Sequence, residues 1–448
     1  MRDSIDFKTM NIPKLFRKLL IPTVLGMIFN AIFIITDGIF VGKGIGSDAL
    51  AAVNITAPLF LINTGVALMF GIGASVVASV HLSQGKAKVA RINVTQAIIV
   101  SSVLLLIYAI GIVSNVERVA VWLGSCESLL PLAVEYMYWF VPFLVFSALL
   151  CSGMFFVRLD GAPNYAMVCN IIPAIINIVL DYVFIFILKW GMFGAALATS
   201  LGYIVGAVII LAYLFHPERI LHVCRVKLSK KSLYLTISNV GYMCRLGFSS
   251  FLCETAIATM MFVGNYVFIR YLGEDGVAAY SIACYFFPIV FMVYNAIAQS
   301  AQPILSYNYG AKCTARVRET FRLALTTAIL CGAGVFLLTW IFSHQIVGMF
   351  LDSSYPAYNI AVKGLPLFAS GFVFFGINIV SIGYFQSLER DCLAMIITLL
   401  RGFVLILLCF WILPFIWGSW GIWLAVPMSE LLTFLFVLVI YWLEILIN

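Results

Sequence analysis

The sequence predicts an all-α polytopic membrane protein with twelve transmembrane helices, arranged as two six-helix bundles related by pseudo-twofold symmetry along the membrane normal. Three observations lead to this fold class: the composition, the recurrence of long apolar runs and an internal repeat. Of the 448 residues, 63% are hydrophobic and only 10% are charged, whereas a soluble domain has about 25% charged residues. A soluble core does not need this much apolar surface.

Apolar runs long enough to cross a bilayer, about 20 residues each, recur along the whole chain. They are continuous and rich in Leu, Ile, Val and Phe, which excludes the alternating pattern of barrel strands. No small-residue cleavage site follows the first run, so we expect a retained span and not a signal peptide. The twelve runs lie near 16–40, 50–80, 92–115, 130–156, 165–188, 191–215, 241–271, 277–305, 320–345, 362–386, 393–416 and 418–446.

The loops between these runs differ in charge. One set of alternate loops, together with the N-terminus, holds nineteen Lys and Arg residues, and the other set holds five. Basic residues accumulate on the cytoplasmic side of membrane proteins, so both termini are predicted to be cytoplasmic. The net charge of +7 follows from this bias and does not indicate binding to nucleic acid.

The two halves of the chain resemble each other. The segment "GSDALAAVNI", which begins at Gly46, recurs as "GEDGVAAYSI" from Gly273, an offset of 227 positions. The same offset pairs "GMFGAALA" from Gly191 with "GSWGIWLA" from Gly418. Because each half holds six runs, the repeats are predicted to be parallel, and this architecture is typical of secondary transporters.

A long basic segment separates the two halves. It runs from 216 to 240 and contains "KLSKKS", which favours a cytoplasmic linker loop. The predicted division is therefore an N-terminal bundle at 1–215, the linker at 216–240 and a C-terminal bundle at 241–448.

Polar residues inside the runs are concentrated in the first half. Asn177 and Asp181 are four positions apart, so they share one helix face and can share a ligand. Asp37, Tyr136 and Thr199 lie in other runs of the same half, and the repeat places no acid at the counterparts of the two aspartates. Intramembrane acids are costly and commonly functional, which favours binding of a proton or a cation. The alternative is that these residues only tie helices together by hydrogen bonds.

For each of three further residues, two interpretations remain open. Glu254 is a candidate counter-ion for a cationic substrate or a structural partner of Arg245. Glu430 could cap or pair near the helix break that Pro427 causes. Pro22 removes a backbone hydrogen bond from the first run and should bend it, although membrane helices also tolerate Pro without any switching role.

Two segments carry a family resemblance. The sequence "ITDGIFVGKGIGSDALAAVNI" after the first run and "AQPILSYNYGA" at 301–311 resemble the multidrug and toxic compound extrusion (MATE) family, in particular its MepA-like branch. The resemblance covers the whole chain. It implies an exporter that exchanges a drug-like, often cationic molecule for inward-moving sodium ions or protons.

The resemblance also implies roles for individual residues. In the branch with an acidic site in the N-terminal lobe, the cation site combines side chains of the first, fifth and sixth helices, with a Tyr of the fourth helix nearby and a bending Pro in the first. Another branch uses a Glu of the seventh helix with an Asp of the tenth, but the tenth run here contains no acid. The matching cation-site residues are Asp37, Asn177, Asp181, Thr199 and Tyr136, the hinge is Pro22, and the substrate-binding candidates are Glu254, Asn378 and Gln302.

Other functional classes fit the sequence less well. A flippase or exporter of a lipid-linked or endogenous metabolite is the alternative within the same superfamily, and a pyrophosphate cargo would favour clustered Arg or Lys inside the spans. An intramembrane aspartyl protease would show a Gly-x-Gly-Asp motif, which neither Asp37 nor Asp181 has. We therefore expect no enzyme activity, no metal site and no cofactor beyond the coupling ion.

The expected partners are the lipid bilayer and small organic substrates, without nucleic acid. We expect a monomer in the inner membrane of a bacterium. For the coupling ion, the presence of Asn177 and Thr199 beside the acids favours sodium, because sodium needs several converging oxygens whereas a proton needs only one carboxylate.

Overall fold

A computed structural model describes residues 5–226 and 229–447, and these residues form helices joined by short turns, without a β-strand. Proline at the first turn helps to start four of the helices, where its missing N–H costs nothing. The helices are α1 (Ile12–Gly44), α2 (Ser47–Ser83), α3 (Ala87–Val113), α4 (Val116–Trp122), α5 (Leu130–Phe140), α6 (Leu144–Leu159), α7 (Pro163–Asp181), α8 (Gly191–Leu214), α9 (Lys230–Gly310), α10 (Thr314–Ile341), α11 (Ser343–Gly348), α12 (Pro356–Ala369), α13 (Phe372–Ser387), α14 (Asp391–Leu399), α15 (Leu405–Trp417) and α16 (Ser419–Ile447).

The predicted count of twelve spans is confirmed. Among the residues that the structure describes, ten helical stretches are long and apolar enough to cross a membrane, and the bent pair of α12 and α13 adds one more. Helix α9, with 81 residues, would be about 120 Å long, far more than a bilayer core of about 30 Å. Its backbone is non-helical at Gly273, which divides it into two spans and completes the twelve.

The backbone repeats at the offset found in the sequence. The glycines that open the matching segments all have positive φ: 136° at Gly46 and 65° at Gly273, then 58° at Gly191 and 57° at Gly418. Only glycine adopts this region without strain. Equivalent turns therefore precede equivalent helices in the two halves.

Helix α9 begins inside the segment predicted to be a linker. Ser229 caps the helix, since its side chain accepts a hydrogen bond of 3.1 Å from the backbone N–H of Ser232. The part of the linker from Lys230 onward is therefore helical.

The tenth predicted run is also more complex than a single helix. Helices α12 and α13 are bent by 41° at Ser370 and Gly371. A Cβ at Gly371 would lie 2.7 Å from the Pro427 Cα of α16, so the small residue allows a close approach of the two backbones. No local sequence pattern predicts this contact between distant residues.

Contacts divide the chain into two compact units. The first includes the chain up to Phe251 together with the segment Ser306–Cys313, and the second includes Leu252–Leu305 and the chain from Thr314 onward. The division by sequence repeat at 215 and 241 stays a prediction beside this division by contacts.

Candidate functional site

The polar residues predicted in the first half meet between α1, α7 and α8 of the first unit. The Asn177 Nδ2 donates to Thr199 Oγ1 over 3.3 Å. The Thr199 hydroxyl lies 3.4 Å from the Asp37 Oδ1 and 3.1 Å from its own helix's Ala195 carbonyl oxygen. Side chains from three helices thus form one cluster, which we call the acidic cluster: Asp37, Asn177, Asp181 and Thr199.

The two carboxyl groups of the acidic cluster lie against each other, close enough to interact directly. Asp181 is completely buried and Asn177 is 1% exposed, whereas Asp37 is partly exposed. Two carboxylates this close, one of them completely buried, are unfavourable when both are ionised. The arrangement therefore favours a positive charge, or a proton, shared between them.

Three buried oxygens of the acidic cluster have no hydrogen-bond partner at standard geometry within the described residues. They are both carboxylate oxygens of Asp181 and the amide Oδ1 of Asn177. A buried acceptor without a donor costs about 1–3 kcal/mol, and more when it is charged. Native structures contain few buried polar atoms without a hydrogen-bond partner, and an ion or a water molecule commonly explains them. A bound cation would satisfy all three oxygens at once.

The backbone around Asp181 departs from a regular α-helix. Asp181 is the last residue of α7, and a π-helical segment, Tyr182–Ile187, follows it directly. Pro173 lies inside α7, two turns before Asp181. Prolines and π-helical turns both disturb the regular hydrogen-bond ladder, and π-helical turns occur frequently at functional sites.

Two glycines allow the three helices to approach closely. A Cβ at Gly202 of α8 would lie 3.3 Å from the Pro173 carbonyl oxygen and 3.4 Å from the Asn177 Cβ. A Cβ at Gly26 of α1 would lie 3.0 Å from the Asn170 amide nitrogen. A larger residue at either position would force its neighbours on α7 to shift.

Tyr136 of α5 is 4% exposed and lies close enough to Thr199, Asp37 and Asp181 to interact with each. A phenol at this position can donate a hydrogen bond to an ionised carboxylate. All five residues predicted for the cation site therefore occupy one place in the first unit.

A small cavity adjoins the acidic cluster, and it is lined by polar side chains that were not predicted from the sequence. Asn30 and Asn170 precede Asp37 and Asn177 by seven positions, and Tyr203 follows Thr199 by four. These spacings place each of them on the same helix face as a predicted ligand. Helical periodicity applied to the predicted residues would have found them.

The second unit holds a different buried cluster. The Arg401 Nε donates to the Glu430 Oε1 over 2.6 Å, and both side chains are 4% exposed. Asn378 Nδ2 donates to the other carboxylate oxygen of Glu430 over 2.8 Å and to its backbone carbonyl over 2.9 Å. Of the two interpretations left open for Glu430, the structure supports a structural pair.

The remaining predicted residues lie apart from this network. Glu254 is half-buried and makes no hydrogen bond or ion pair with the residues that the structure describes. Gln302 is buried in the second unit. Pro22 is buried inside the continuous helix α1. Within residues 5–226 and 229–447, no group of three or more His, Cys, Asp or Glu side chains is arranged to hold a metal ion.

Known proteins resemble the chain over most of its length. The multidrug export protein MepA of Staphylococcus aureus is 22% identical over 429 residues, which cover 94% of this chain and 92% of that protein. A multidrug resistance MATE family transporter of the MOP superfamily, solved in an outward-facing conformation, has a TM-score of 0.88 at 22% identity, with 97% of each chain covered. A MATE protein solved in the straight conformation has a TM-score of 0.89 at 21% identity, with 98% and 97% covered.

These solved structures have the same fold as this chain. The sequence profile of the MatE family matches residues 22–183 and again residues 246–411. One match therefore falls in each half of the repeat, and together they cover most of the chain. The chain belongs to the MatE family.

Proposed function

We propose that the protein is a cation-coupled antiporter that exports drug-like, often cationic organic compounds by alternating access. The observation that carries the proposal is the set of three buried acceptor oxygens on Asp181 and Asn177 beside a second carboxylate, Asp37. In this proposal the protein works as a monomer in the inner membrane of a bacterium, with both termini in the cytoplasm.

The ligand chemistry favours sodium as a coupling ion. Sodium binds where several oxygens converge, as they do in other sodium-coupled transporters. Asp37, Asn177, Asp181 and Thr199 supply such oxygens within one buried cluster. Protons compete for the same two carboxylates, so we propose a site that either ion can occupy.

Coupling follows from the helices that the cation would join. Asp37 lies on α1, whereas the other ligands lie on α7 and α8, so an ion at the cluster ties α1 to its neighbours. Pro22 removes a hydrogen bond from α1 fifteen residues before Asp37. Binding and release of the ion would then shift α1 between two conformations, with Pro22 as the hinge, and the conformation of α1 would control export.

The substrate class is supported by charge. Glu254 offers a half-buried carboxylate with no hydrogen-bond partner among the described residues, which suits an organic cation better than an anion. A lipid-linked pyrophosphate would instead need unpaired basic residues, and the guanidinium group of Arg401 already pairs with Glu430.

Transport of ethidium in proteoliposomes that contain the purified full-length protein tests the proposal. A sodium gradient and a pH gradient are imposed separately, each in the direction that would drive export, and the flux is compared with protein-free liposomes. We expect both gradients to drive flux, and we expect sodium stimulation to weaken as the pH falls. Flux that neither gradient changes would contradict cation coupling, and flux that only the pH gradient drives would reject sodium.

A further inference from the structure

The residues before α1 form a folded segment, residues 5–11, which we call the N-terminal strap. The Asp6 Oδ1 accepts a hydrogen bond of 2.8 Å from the backbone N–H of Lys8, and the other carboxylate oxygen accepts one from the Thr9 hydroxyl. The Asp6 carbonyl oxygen accepts a further bond of 3.2 Å from the N–H of Met10. Aspartate side chains commonly close turns in this way. The strap therefore has a defined conformation, and it leads directly into α1.

Phe7 is the buried residue of the strap. It is 8% exposed, whereas its neighbours Asp6 and Lys8 are exposed. Its ring lies 5.6 Å from the ring of Tyr307, measured between the centroids. Its carbonyl oxygen accepts a hydrogen bond of 3.3 Å from the Asn308 Nδ2. Tyr307 and Asn308 belong to the last turn of α9, so the strap, which is part of the first half of the repeat, contacts a helix of the second half.

The strap also contacts the turn between α6 and α7. A Cβ at Gly161, where φ is 85°, would lie 3.5 Å from the Ile5 Cβ and 3.7 Å from the Ile5 carbonyl oxygen. The preceding residue, Asp160, fixes this turn, because its carboxylate accepts bonds of 2.7 Å from the Tyr213 hydroxyl and 2.8 Å from the Leu221 N–H. One end of the strap therefore rests on a fixed part of the first half.

The end of α9 has a second contact with the first half. A Cβ at Gly310 would lie 2.9 Å from the Val80 Cα and 3.0 Å from the Val80 carbonyl oxygen, both in α2, so a residue larger than glycine would not allow this approach. The segment Ser306–Cys313 accordingly belongs to the first unit, although the residues before and after it belong to the second. An even number of spans separates the N-terminus from the end of α2, the α6–α7 turn and the end of α9. All of these lie on the cytoplasmic side in the proposed topology.

We propose that the N-terminal strap is a latch that holds the cytoplasmic ends of the two halves together and releases Tyr307 and Asn308 when the protein opens to the cytoplasm. Opening requires the end of α9 to leave α2, and the strap opposes this step because it contacts both the α6–α7 turn and α9. The contacts of a short turn with exposed residues on both sides of Phe7 can break without unfolding of either helix. As a statement about transport the inference rests on the proposed alternating access, but as a statement about what holds the end of α9 it does not.

Hydrogen–deuterium exchange of the purified full-length protein in detergent, followed by mass spectrometry, tests the latch. The backbone N–H groups of Ala311, Lys312 and Cys313 donate to carbonyl oxygens in the last turn of α9, and detachment of this end makes them accessible to exchange. In Phe7→Ala we expect exchange to be about two- to tenfold faster in peptides from the ends of α9 and α2, as expected for the loss of one aromatic contact. Peptides from the linker, 216–226, should exchange as in the wild type.

Lys8→Ala is the matched control, because Lys8 is an exposed residue of the same turn and its backbone N–H is kept. It should leave exchange at the end of α9 unchanged. If exchange in Phe7→Ala is faster only within the strap, Phe7 rests on α9 without holding it and the proposal is wrong. If exchange is faster throughout the protein, Phe7→Leu is used instead, since it keeps most of the buried apolar volume but has no ring, and the same comparison of peptides decides.

Transport provides a separate readout of the latch. A weaker latch increases the fraction of the protein that is open to the cytoplasm, so the half-saturating concentration of ethidium on the cytoplasmic side should fall by up to the same factor in Phe7→Ala. An unchanged half-saturating concentration together with faster exchange at the end of α9 would overturn the role in opening. Absence of gradient-driven flux in the wild type would contradict the proposed function and would leave the exchange result unaffected, so the two proposals can fail separately.

Discussion

The two compact units each bury a pair of charged groups inside the membrane, but they satisfy those groups in different ways. In the first unit Asp37 lies against Asp181, and both oxygens of Asp181 lack a donor within the described residues. In the second unit Glu430 has a guanidinium partner at 2.6 Å and an amide donor at 2.8 Å. The first cluster leaves buried acceptor oxygens unsatisfied among the described residues, whereas the carboxylate of the second has a donor for each oxygen.

This difference separates two meanings of a buried acid. The cost of burying a carboxylate is several kcal/mol unless a positive charge and hydrogen bonds compensate it. Where the chain supplies the compensation, as Arg401 and Asn378 do for Glu430, the acid can be structural. Where it does not, the compensation has to arrive from outside, and its arrival and departure can drive a conformational change. The partners of an acid therefore distinguish the two cases better than its burial.

The largest expected effect comes from neutralising the acidic cluster. Asp37→Asn and Asp181→Asn each remove a negative charge but keep the side-chain shape, so gradient-driven efflux of ethidium should fall to the level of protein-free liposomes. Loss of either charge removes the electrostatic reason for a cation to bind. Initial rates in proteoliposomes measure the effect.

Asp275→Asn serves as a matched control for these two variants, because Asp275 is an exposed acid of the second unit. Its efflux should equal that of the wild type. The amount of folded protein is checked for each variant by size-exclusion chromatography in detergent. Coupled transport at the wild-type rate by either cluster variant would remove the distinction between the two units.

The second effect concerns stability and tests the other side of the comparison. Arg401→Met leaves the Glu430 carboxylate buried without its charge partner and should destabilise the protein by about 3–5 kcal/mol. The double variant Arg401→Met with Glu430→Leu removes both charges and should recover most of that loss. The stabilities of the three proteins are compared by following, with fluorescence, the loss of folded protein on heating.

Lys363→Met controls for the loss of a basic residue, since Lys363 is exposed and its replacement should change stability little. If Arg401→Met is as stable as this control, Glu430 is not held by its ion pair and the contrast between the units is wrong. A double variant no more stable than the single one would show that packing, and not charge, makes Arg401 important.

The sequence predicted one of these clusters better than the other for a physical reason. Asn177 and Asp181 are four positions apart, so helical periodicity alone joins them, and the cost of an intramembrane acid singles out Asp37. Arg401 and Glu430 are 29 positions apart and lie in different helices, and no local pattern joins such residues. The pairing depends on helix packing, which composition does not encode.

The fold shows the same division between local and long-range information. Hydropathy predicted twelve spans, and the repeated glycines such as Gly46 and Gly273 marked equivalent turns, because chain length and backbone conformation are local properties. The 41° bend between α12 and α13 and the π-helical segment after Asp181 were not predicted. Both arise where packing partners replace or distort local hydrogen bonds, and those partners are distant in sequence.

The third prediction distinguishes sodium from protons within the acidic cluster. Asn177→Ala and Thr199→Ala remove neutral oxygen ligands but leave both carboxylates, so sodium-driven flux should fall by about tenfold, as expected for one lost ligand contact of about 1.4 kcal/mol. Flux driven by a pH gradient should fall less, because a proton needs only a carboxylate. Flux against sodium concentration at several pH values provides the measurement.

Ser152→Ala is the control for loss of a buried hydroxyl, because Ser152 bonds only to the Ala148 carbonyl of its own helix among the contacts that the structure describes. It should change neither flux. An equal loss of sodium-driven and pH-driven flux in Asn177→Ala and Thr199→Ala would assign these residues to positioning the acids and would leave sodium coordination without support.

The smallest expected effect concerns Glu254, which fits neither side of the comparison. It lies in the second unit, yet like the acidic cluster it lacks a hydrogen-bond partner among the described residues, and it is only half-buried. A partly exposed carboxylate attracts a cation by roughly 0.2–1 kcal/mol. Glu254→Gln should therefore raise the half-saturating concentration of ethidium at most about fivefold and leave transport of a neutral substrate unchanged.

Glu117→Gln, which changes an exposed acid of α4, is the control and should affect transport of neither substrate. If the cationic and the neutral substrate lose transport equally, Glu254 supports the fold or the coupling step and is not a counter-ion. If only transport of the cationic substrate is affected, the negative charge of Glu254 is compensated by the substrate. The acidic cluster would differ, because its negative charge is compensated by the coupling ion.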